Sequence, residues 1–344
     1  MRYDAFLLVS FGGPERPEDV APFLANVTRG RGVPPERLAE VTEHYLSFGG
    51  VSPINAQCRE LLAALRTEFA SAGIDLPLYW GNRNWHPLLH DTLLRMHGDG
   101  VRRAIAFVTS PYSSYSSCRQ YLDDIATARA ALGDAAPVID KIRHYHDAPG
   151  FIEPQVDAVR AALATLDPTR RSTTRLVFTA HSVPIWMAER SGPDGGRYEA
   201  QLQETAALIA AAAAPDLPYD LVWQSRSGPP EVPWLEPDIN DHLAALAAAG
   251  TTSVVVSPIG FISDHLEVVW DLDTEAAGTA KSLGLEFARA ATPGTDPRFV
   301  RMVRELVEER LHDTGPRGQL GKLEMWDTCP GHCCPRPPVR GRPR

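Results

Sequence analysis

The chain has 344 residues, of which 44% are hydrophobic and 22% are charged; this length and composition are typical of a globular protein of about two domains. Its formal net charge of −9 at pH 7 argues against nucleic acid as the main partner, because phosphate binding needs a positive field. The N-terminal apolar run lacks the layout of a cleavable signal, and Ala206–Ala214 is too short to cross a bilayer. We therefore expect a soluble cytoplasmic protein with no transmembrane segment.

Short β-branched runs alternate with helical stretches along the chain, a pattern typical of parallel α/β units. The predicted strands of the first half are Ala5–Ser10, Leu76–Gly81, Ala104–Thr109 and Val138–Ile142. Those of the second half are Arg175–Ala180, Tyr219–Gln224, Thr252–Ser257 and Leu285–Ala290. The predicted helices between them include Pro53–Phe69, Ser116–Ala131, Ile152–Leu166, Gly195–Ala214 and His265–Leu283. We expect two similar Rossmann-like domains, each with a four-stranded parallel sheet flanked by helices.

The two halves also resemble each other in sequence. LYWGNRNW from Leu78 is echoed by LVWQSRSG from Leu221, and VTSPYSSYS from Val108 by VVSPIGFIS from Val255. This favours a duplicated βα unit over chance similarity. Ligands bind at the carboxyl ends of strands in open α/β sheets, so we expect the site in a cleft between the halves. The expected divisions are an N-terminal domain 1–149, a C-terminal domain 150–314 and a cysteine-rich tail 315–344.

Residues 14–53 form an insertion that breaks this symmetry. Tyr45, Leu46 and Phe48 stand beside a Gly-Gly pair and near Arg29. This composition favours a lip over the cleft, although an ordinary helical excursion would have the same composition.

Two groups of ionisable residues follow predicted strands, where functional side chains are to be sought. His181 ends the strand RLVFTA and could accept a proton or bind a metal, or simply bond to the backbone. In FISDHLEVVWDLDTE, the residues Glu267, Asp271 and Glu275 recur every four positions, which predicts one acidic stripe on a helix. Hard oxygen ligands of this kind suit Mg²⁺ or a hydrated divalent ion in transit. The alternative is a solvent-facing stripe whose Asp264 and Glu267 form a capping box.

Nucleotide-cofactor fingerprints are missing from the sequence. No G-x-G-x-x-G pattern follows a predicted strand, and there is no P-loop. This argues against nicotinamide-, flavin- or nucleotide-dependent chemistry.

Together, the motifs resemble those of the ferrochelatase family. LLVSFGGP, GGVSPIN, WHP, AHSVP, LVWQSRSGPP and SDHLEVVWDLD match its signatures in order and spacing from Tyr3 to about Arg310. The resemblance implies insertion of Fe²⁺ into a porphyrin, with His181 and Glu267 facing each other across the ring as metal ligand and proton acceptor. It also implies that Asp271 and Glu275 relay metal or protons outward.

The resemblance extends to the porphyrin contacts and to the choice of porphyrin. The residues similar to porphyrin-binding positions are Arg29, Tyr45, Ser52, Arg83, Tyr121 and Trp234. Similarity to the soluble bacterial members implies coproporphyrin III as substrate, with protoporphyrin IX as the alternative. It also implies transient handover of the product to a downstream enzyme of haem synthesis.

Three of the five cysteines lie close together in the tail, in CPGHCC. This tail resembles the cluster-binding extension of some family members, which implies a [2Fe–2S] cluster. Its expected ligands are Cys118, Cys329, Cys333 and Cys334, whereas Cys58 is expected to be a buried residue of a helix. The alternative is a tail whose thiols bind nothing or bind adventitious zinc.

Two other functions stay open from the sequence. One is a related chelatase that acts on a cobalt or nickel tetrapyrrole. The other, of a different class, is a non-catalytic two-domain protein that binds a tetrapyrrole or a metal.

Overall fold

The computed structural model describes residues 3–30, 33–228, 231–312 and 317–337. Its framework is two four-stranded parallel sheets with the same strand order. The first, in spatial order β2-β1-β3-β4, consists of β1 (Ala5–Ser10), β2 (Leu78–Asn82), β3 (Arg103–Val108) and β4 (Val138–Lys141). The second, in order β6-β5-β7-β8, consists of β5 (Thr174–His181), β6 (Tyr219–Gln224), β7 (Ser253–Ser257) and β8 (Glu286–Arg289). The predicted fold class is confirmed, and the shared strand order fits the similarity of the two halves in sequence.

Helices cover the faces of both sheets, so the central strands are buried and read as continuous apolar runs. The α-helices are α1 (Pro17–Val27), α2 (Pro35–Ser47), α3 (Ile54–Ser71), α4 (Leu89–Gly98), α5 (Gln120–Leu132), α6 (Pro149–Leu163), α7 (Ile185–Glu189), α8 (Arg197–Ala213), α9 (Ile239–Ala248), α10 (Leu266–Val268), α11 (Ala277–Ser282) and α12 (Pro297–His312). Short 3₁₀ segments lie at Gly133–Ala135 and Pro168–Thr173. None of the described helices is long and apolar enough to cross a bilayer.

Two of the predicted helices contain π-helical turns. Tyr115–Arg119 is π-helical and leads into α5, and Val269–Ala276 is π-helical between α10 and α11. Hydrophobic periodicity does not separate i→i+4 from i→i+5 hydrogen bonding over such short stretches, so the sequence predicted uniform helices. π-helical turns occur often at functional sites, and both of these carry predicted site residues.

The largest apolar cluster lies between the two sheets and joins them. Phe107 of β3 and Phe178 of β5 belong to it, together with residues of α6 and α12. Helix α12 packs on α3 as well as on α6, and Arg304 forms an ion pair with Glu68 at 2.8 Å. The last described helix therefore contacts the first half of the molecule. The domain limits stay a prediction, and the limit at 314/315 lies outside the described residues.

The insertion folds as α1 and α2 and reaches the second half. Val20, Phe23 and Tyr45 form a small buried cluster with Leu266, the first residue of α10. The insertion thus packs directly against the helix that begins the predicted acidic stripe.

Candidate active site

His181 is held at the carboxyl end of β5 by hydrogen bonds on both sides. The ring Nδ1 bonds to the carbonyl oxygen of Ser182 at 2.5 Å, and the hydroxyl of Tyr198 donates to the carbonyl oxygen of His181 at 2.8 Å. Because a carbonyl oxygen only accepts, Nδ1 carries a proton, so Nε2 is the ring nitrogen that can offer a lone pair. One third of the side chain is exposed (33%), so this lone pair is available to a ligand.

Glu267 lies in α10, at the end of the loop that follows β7, and approaches His181 from there. Its Oε2 lies 3.9 Å from Nε2 of His181, and its side chain is 52% exposed. The loop can come this close because it contains Gly260, where a Cβ would lie 2.8 Å from Cα of Ala180. The structure therefore brings together the histidine and the carboxylate that the sequence placed in one site.

His265 is a third ionisable residue at this point, and the sequence reasoning did not select it. Burial lowers the pKa of His265. The charge of Glu267 opposes this shift and the charge of His181 adds to it, so His265 lies near both residues. The motif SDHLE contains this histidine between Asp264 and Glu267, the two carboxylates that the sequence reasoning considered. Burial therefore disfavours the protonated form of His265 beside the pair.

The acidic stripe runs from Glu267 into the π-helical segment. Burial raises the pKa of Asp271 to about 7; a hydrogen bond from Ser225 opposes this shift, and the charges of Glu267 and Glu275 add to it. Asp271 also accepts a hydrogen bond from Nε2 of Gln224 at 3.3 Å. The three carboxylates are therefore neighbours, and the middle one can exchange a proton near neutral pH.

The insertion covers the outer end of this stripe. Nε1 of Trp270 donates to Oε1 of Glu275 at 2.8 Å, and the Trp270 ring stacks on His44 with centroids 3.9 Å apart. Phe48 packs edge-on against the same ring at 5.9 Å. Tyr45 is buried beside Glu267: burial raises the pKa of Tyr45, and the charge of Glu267 adds to the rise.

A second polar group lies on the first half of the molecule. Nε of Arg83 pairs with Asp124 at 2.5 Å, and its guanidinium lies over the rings of Tyr121 at 4.6 Å and Phe11 at 5.8 Å. Phe11 contacts Phe23 at 6.4 Å, and Phe23 contacts Tyr45. A chain of ring contacts thus joins Arg83 and Tyr121 to the residues around Glu267.

The remaining predicted porphyrin contacts are dispersed. Arg29 is exposed beyond the end of α1, and Ser52 is buried against Gly13. Trp234 pairs with Pro184 in an isolated bridge close to His181. Its indole Nε1 is buried and has no hydrogen-bond partner among the described residues, which leaves a donor available beside the site.

The four predicted sulfur ligands lie together at a separate place. Cys329 is within hydrogen-bonding contact of the sulfurs of Cys118 and Cys333, and the sulfurs of Cys333 and Cys334 are 3.7 Å apart. Cys118 lies in the π-helical turn before α5, whereas Cys58 is buried in α3. Burial raises the pKa of Cys58 to about 11, with a hydrogen bond to Ser10 opposing, so its thiol stays protonated.

The surroundings of these sulfurs suit thiolates. The backbone N–H of Gly192 donates to Sγ of Cys334 at 3.1 Å, and Nε1 of Trp326 donates to Sγ of Cys329 at 3.3 Å. Such N–H bonds and a set of four cysteine sulfurs are what a [2Fe–2S] cluster needs. The residues present therefore fit the group that the sequence resemblance implies.

His144 also belongs to this region, and the sequence reasoning overlooked it. Its ring lies with Cys118 and Cys329 in a group whose ligand atoms are all within 4.8 Å of one another. Burial is the main cause that lowers the pKa of His144 to about 4, so the ring is neutral. The signal was the run RHYHDAP after the fourth predicted strand.

Comparison with known proteins agrees with this geometry. The sequence matches the ferrochelatase family over residues 3–311. It is 56% identical to the coproporphyrin III ferrochelatase of Nocardia farcinica, over 99% of this chain and 100% of that one. It is 55% identical to the coproporphyrin III ferrochelatase of Streptomyces coelicolor, over 97% and 93% of the two chains. It is 56% identical to the coproporphyrin III ferrochelatase of Mycolicibacterium smegmatis, over 92% of this chain and 92% of that one.

Solved structures share the fold at much lower sequence identity. The cobalt complex of the sirohydrochlorin chelatase SirB from Bacillus subtilis subspecies spizizenii aligns with a TM-score of 0.50 and 13% identity, over 90% of this chain and 97% of that one. SirB from Bacillus subtilis with Fe³⁺ aligns with a TM-score of 0.51 and 13% identity, over 90% and 98% of the two chains. This likeness shows a shared two-sheet architecture. Given the profile match and the relatives above, the chain belongs to the ferrochelatase family.

Proposed function

We propose that this protein inserts Fe²⁺ into coproporphyrin III. The observation that carries the proposal is the pairing of the Nε2 lone pair of His181 with the carboxylate of Glu267, 3.9 Å away at the open ends of the strands. Support for the substrate comes from the relatives named coproporphyrin III ferrochelatase, which match almost the whole chain. Protoporphyrin IX is the alternative substrate.

The reaction exchanges two protons for one metal ion. The two pyrrole N–H protons must leave the porphyrin as Fe²⁺ enters, so bases must lie within hydrogen-bond reach of the ring centre. His181 offers Nε2, which can ligate Fe²⁺ or accept a proton, and Glu267 offers a carboxylate that can do either. The hydrogen bond from Nδ1 to Ser182 keeps the lone pair at Nε2, on the side of Glu267.

Asp271 and Glu275 suit the removal of protons from the site. Asp271 can hold or release a proton near pH 7 because burial raises its pKa to about 7, while Glu275 is exposed. A proton passed from Glu267 to Asp271 can therefore reach solvent at Glu275. Binding of Mg²⁺ at this stripe stays a prediction. Ser225, Gln224 and Trp270 donate hydrogen bonds to Asp271 and Glu275, and a bound ion would compete with these donors.

The predicted porphyrin contacts suit a ligand with acidic side groups. Arg83 and Arg29 supply positive charge, Ser52 and Tyr121 hydroxyls and Trp234 an indole N–H. Arg83 is held by Asp124 and by two aromatic rings, so its orientation is fixed before a ligand arrives. Product handover to a downstream enzyme and a cytoplasmic location stay predictions.

We also propose a [2Fe–2S] cluster held by Cys118, Cys329, Cys333 and Cys334. When bound, such a cluster would add one-electron redox chemistry and cross-link the tail to the body. The protein itself supplies the two N–H···S hydrogen bonds from Gly192 and Trp326. It also fixes the tail, since Arg119 donates to the carbonyl oxygen of Gly331 at 3.1 Å.

The test is anaerobic Fe²⁺ insertion into coproporphyrin III and protoporphyrin IX, compared side by side. We expect turnover mainly with coproporphyrin III, and loss of turnover with retained porphyrin binding in His181→Ala. The control is His90→Ala, which changes an exposed histidine of α4 that takes no part in the site. Faster turnover with protoporphyrin IX would mean that the reaction is as proposed but that protoporphyrin IX is the substrate. No turnover with either porphyrin, despite binding, would favour a binding protein or a cobalt or nickel chelatase.

A further inference from the structure

A further group of ionisable side chains shares no residue with the two sites described above. His146 and Asp147 follow β4, and their side chains are fully buried (0% exposed). Glu204 of α8 meets them: its Oε2 lies 3.2 Å from Nε2 of His146. One ligand atom from each of the three residues lies within 4.8 Å of the other two.

The hydrogen bonding of this group is incomplete. Within the four described ranges, neither carboxylate oxygen of Asp147 has a hydrogen-bond partner, and neither does Nδ1 of His146. The distance from this Nδ1 to Oδ1 of Asp147 is 4.0 Å, which is too long for a hydrogen bond. Buried carboxylates are normally paired or bound to a metal, because an isolated buried charge is costly. A fully buried carboxylate without a partner among the described residues, close to an imidazole and a second carboxylate, therefore suits the binding of a cation.

The spacing is compatible with a shared metal ion, although His146 Nε2 and Glu204 Oε2 are also within hydrogen-bonding distance of each other. In a tetrahedral site with bonds of about 2.0–2.1 Å, neighbouring ligand atoms are separated by about 3.3 Å. The distance of 3.2 Å between His146 Nε2 and Glu204 Oε2 is close to this value. One imidazole and two carboxylates, with no thiolate, suit Zn²⁺ or Fe²⁺.

We propose that His146, Asp147 and Glu204 bind a divalent cation of the Zn²⁺ or Fe²⁺ class. This site uses neither the His181–Glu267 pair nor the cysteine sulfurs. It does not depend on which porphyrin is the substrate.

The proposed cation site also fixes the start of the tail. Oε1 of Glu204 accepts the backbone N–H groups of Lys322 at 2.6 Å and Leu323 at 3.2 Å. The backbone carbonyl of Asp147 accepts the N–H of Leu320 at 2.9 Å. A cation that orients Glu204 and Asp147 therefore holds the segment that leads to Cys329.

Anomalous diffraction tests the position directly on the unmodified protein. Crystals soaked in Zn²⁺ and measured at the zinc edge should show a peak about 2 Å from Nε2 of His146 and from both carboxylates. Absence of this peak in crystals that show zinc elsewhere would overturn the proposal. So would an ordered water in its place.

Stoichiometry in solution gives a second test with matched variants. After Zn²⁺ loading and desalting, Asp147→Asn and Glu204→Gln should each retain one equivalent less than the wild type. Glu153→Gln, the same change at an exposed carboxylate of α6, should retain the wild-type content. Thermolysin should also cut residues 317–337 faster in the two site variants. Equal zinc content in all four proteins would mean that His146 and Glu204 form only a hydrogen-bonded pair beside a protonated Asp147.

Discussion

His44 of the insertion stacks on Trp270 of the acidic helix, with ring planes 14° apart and centroids 3.9 Å apart. Trp270 also donates to Glu275 at 2.8 Å and contacts Phe48. One side chain thus joins the insertion to the proposed proton exit. Movement of α2 away from the acidic stripe would break this contact.

We expect Trp270→Ala to loosen the insertion without unfolding the sheets. An aromatic pair contributes about 0.5–1.5 kcal/mol beyond its buried area, so amide hydrogen exchange over residues 35–47 should rise roughly 2- to 13-fold. Hydrogen-exchange mass spectrometry measures this. Leu94→Ala, at an exposed apolar residue of α4, should leave exchange in residues 35–47 unchanged. If Trp270→Ala also leaves it unchanged, the stacking does not hold the insertion closed.

Asp271 should make the free energy of unfolding depend on pH. Burial raises its pKa from 3.8 to about 7, although the Ser225 hydrogen bond opposes this. Between these values the folded chain holds a proton that the unfolded chain has released. The stability contributed by this group is therefore complete below about pH 4 and is lost as the pH rises to about 7.

The substitution Asp271→Asn keeps the uncharged form at every pH. Relative to the wild type, its free energy of unfolding should therefore rise by about 2–3 kcal/mol between pH 5 and pH 8. Urea unfolding at the two pH values measures this difference. Asp134→Asn, at an exposed carboxylate, is the control. A pH-independent difference for Asp271→Asn would show that Asp271 is ionised in the folded protein throughout this range.

The sequence predicted the framework well because both sheets are built from buried strands separated by helices. Periodicity and β-branched residues are enough to identify such units. The approach of His181 to Glu267 was harder to foresee from spacing, since β5 and the loop after β7 come together only through the sheet order β6-β5-β7-β8. The expectation that His181 and Glu267 share one site came from the resemblance to the family and not from their spacing in the sequence.

Local backbone geometry escaped the sequence reasoning. In the part of the chain that the structure describes, the non-glycine residues with positive φ are Ser225 at 59° and Cys334 at 50°. Such conformations cost free energy and persist where the surroundings enforce them. Ser225 donates to Asp271, and Cys334 is a proposed cluster ligand. Both strained residues therefore lie in proposed functional sites, and neither has a residue type that signals a left-handed turn.

Cys118 and Cys58 are both buried cysteines, but only Cys118 is a proposed cluster ligand. The same substitution at the two positions therefore tests the assignment. Cys118→Ser should abolish the visible charge-transfer absorption and the stoichiometric iron and sulfide, because it removes one of four thiolates. Cys58→Ser should keep both, since Cys58 lies in α3 away from the other sulfurs. His144→Ala should also keep them. Loss of the cluster in His144→Ala with retention in Cys118→Ser would make the histidine the fourth ligand.

Trp326 should tune the potential of the cluster through its hydrogen bond to Cys329, 3.3 Å long. An N–H donor stabilises the more negative, reduced cluster more than the oxidised one. Trp326→Phe removes the donor but keeps a ring that can pack against His144 and Arg197, which Trp326 contacts at 5.8 Å and 5.7 Å. A net hydrogen bond of about 0.5–1.5 kcal/mol corresponds to a fall in potential of roughly 20–65 mV for one electron. Redox titration followed by electron paramagnetic resonance measures this shift. Trp326→Leu should show a fall of similar size if the N–H is the cause, whereas an unchanged potential in Trp326→Phe would assign Trp326 to packing alone.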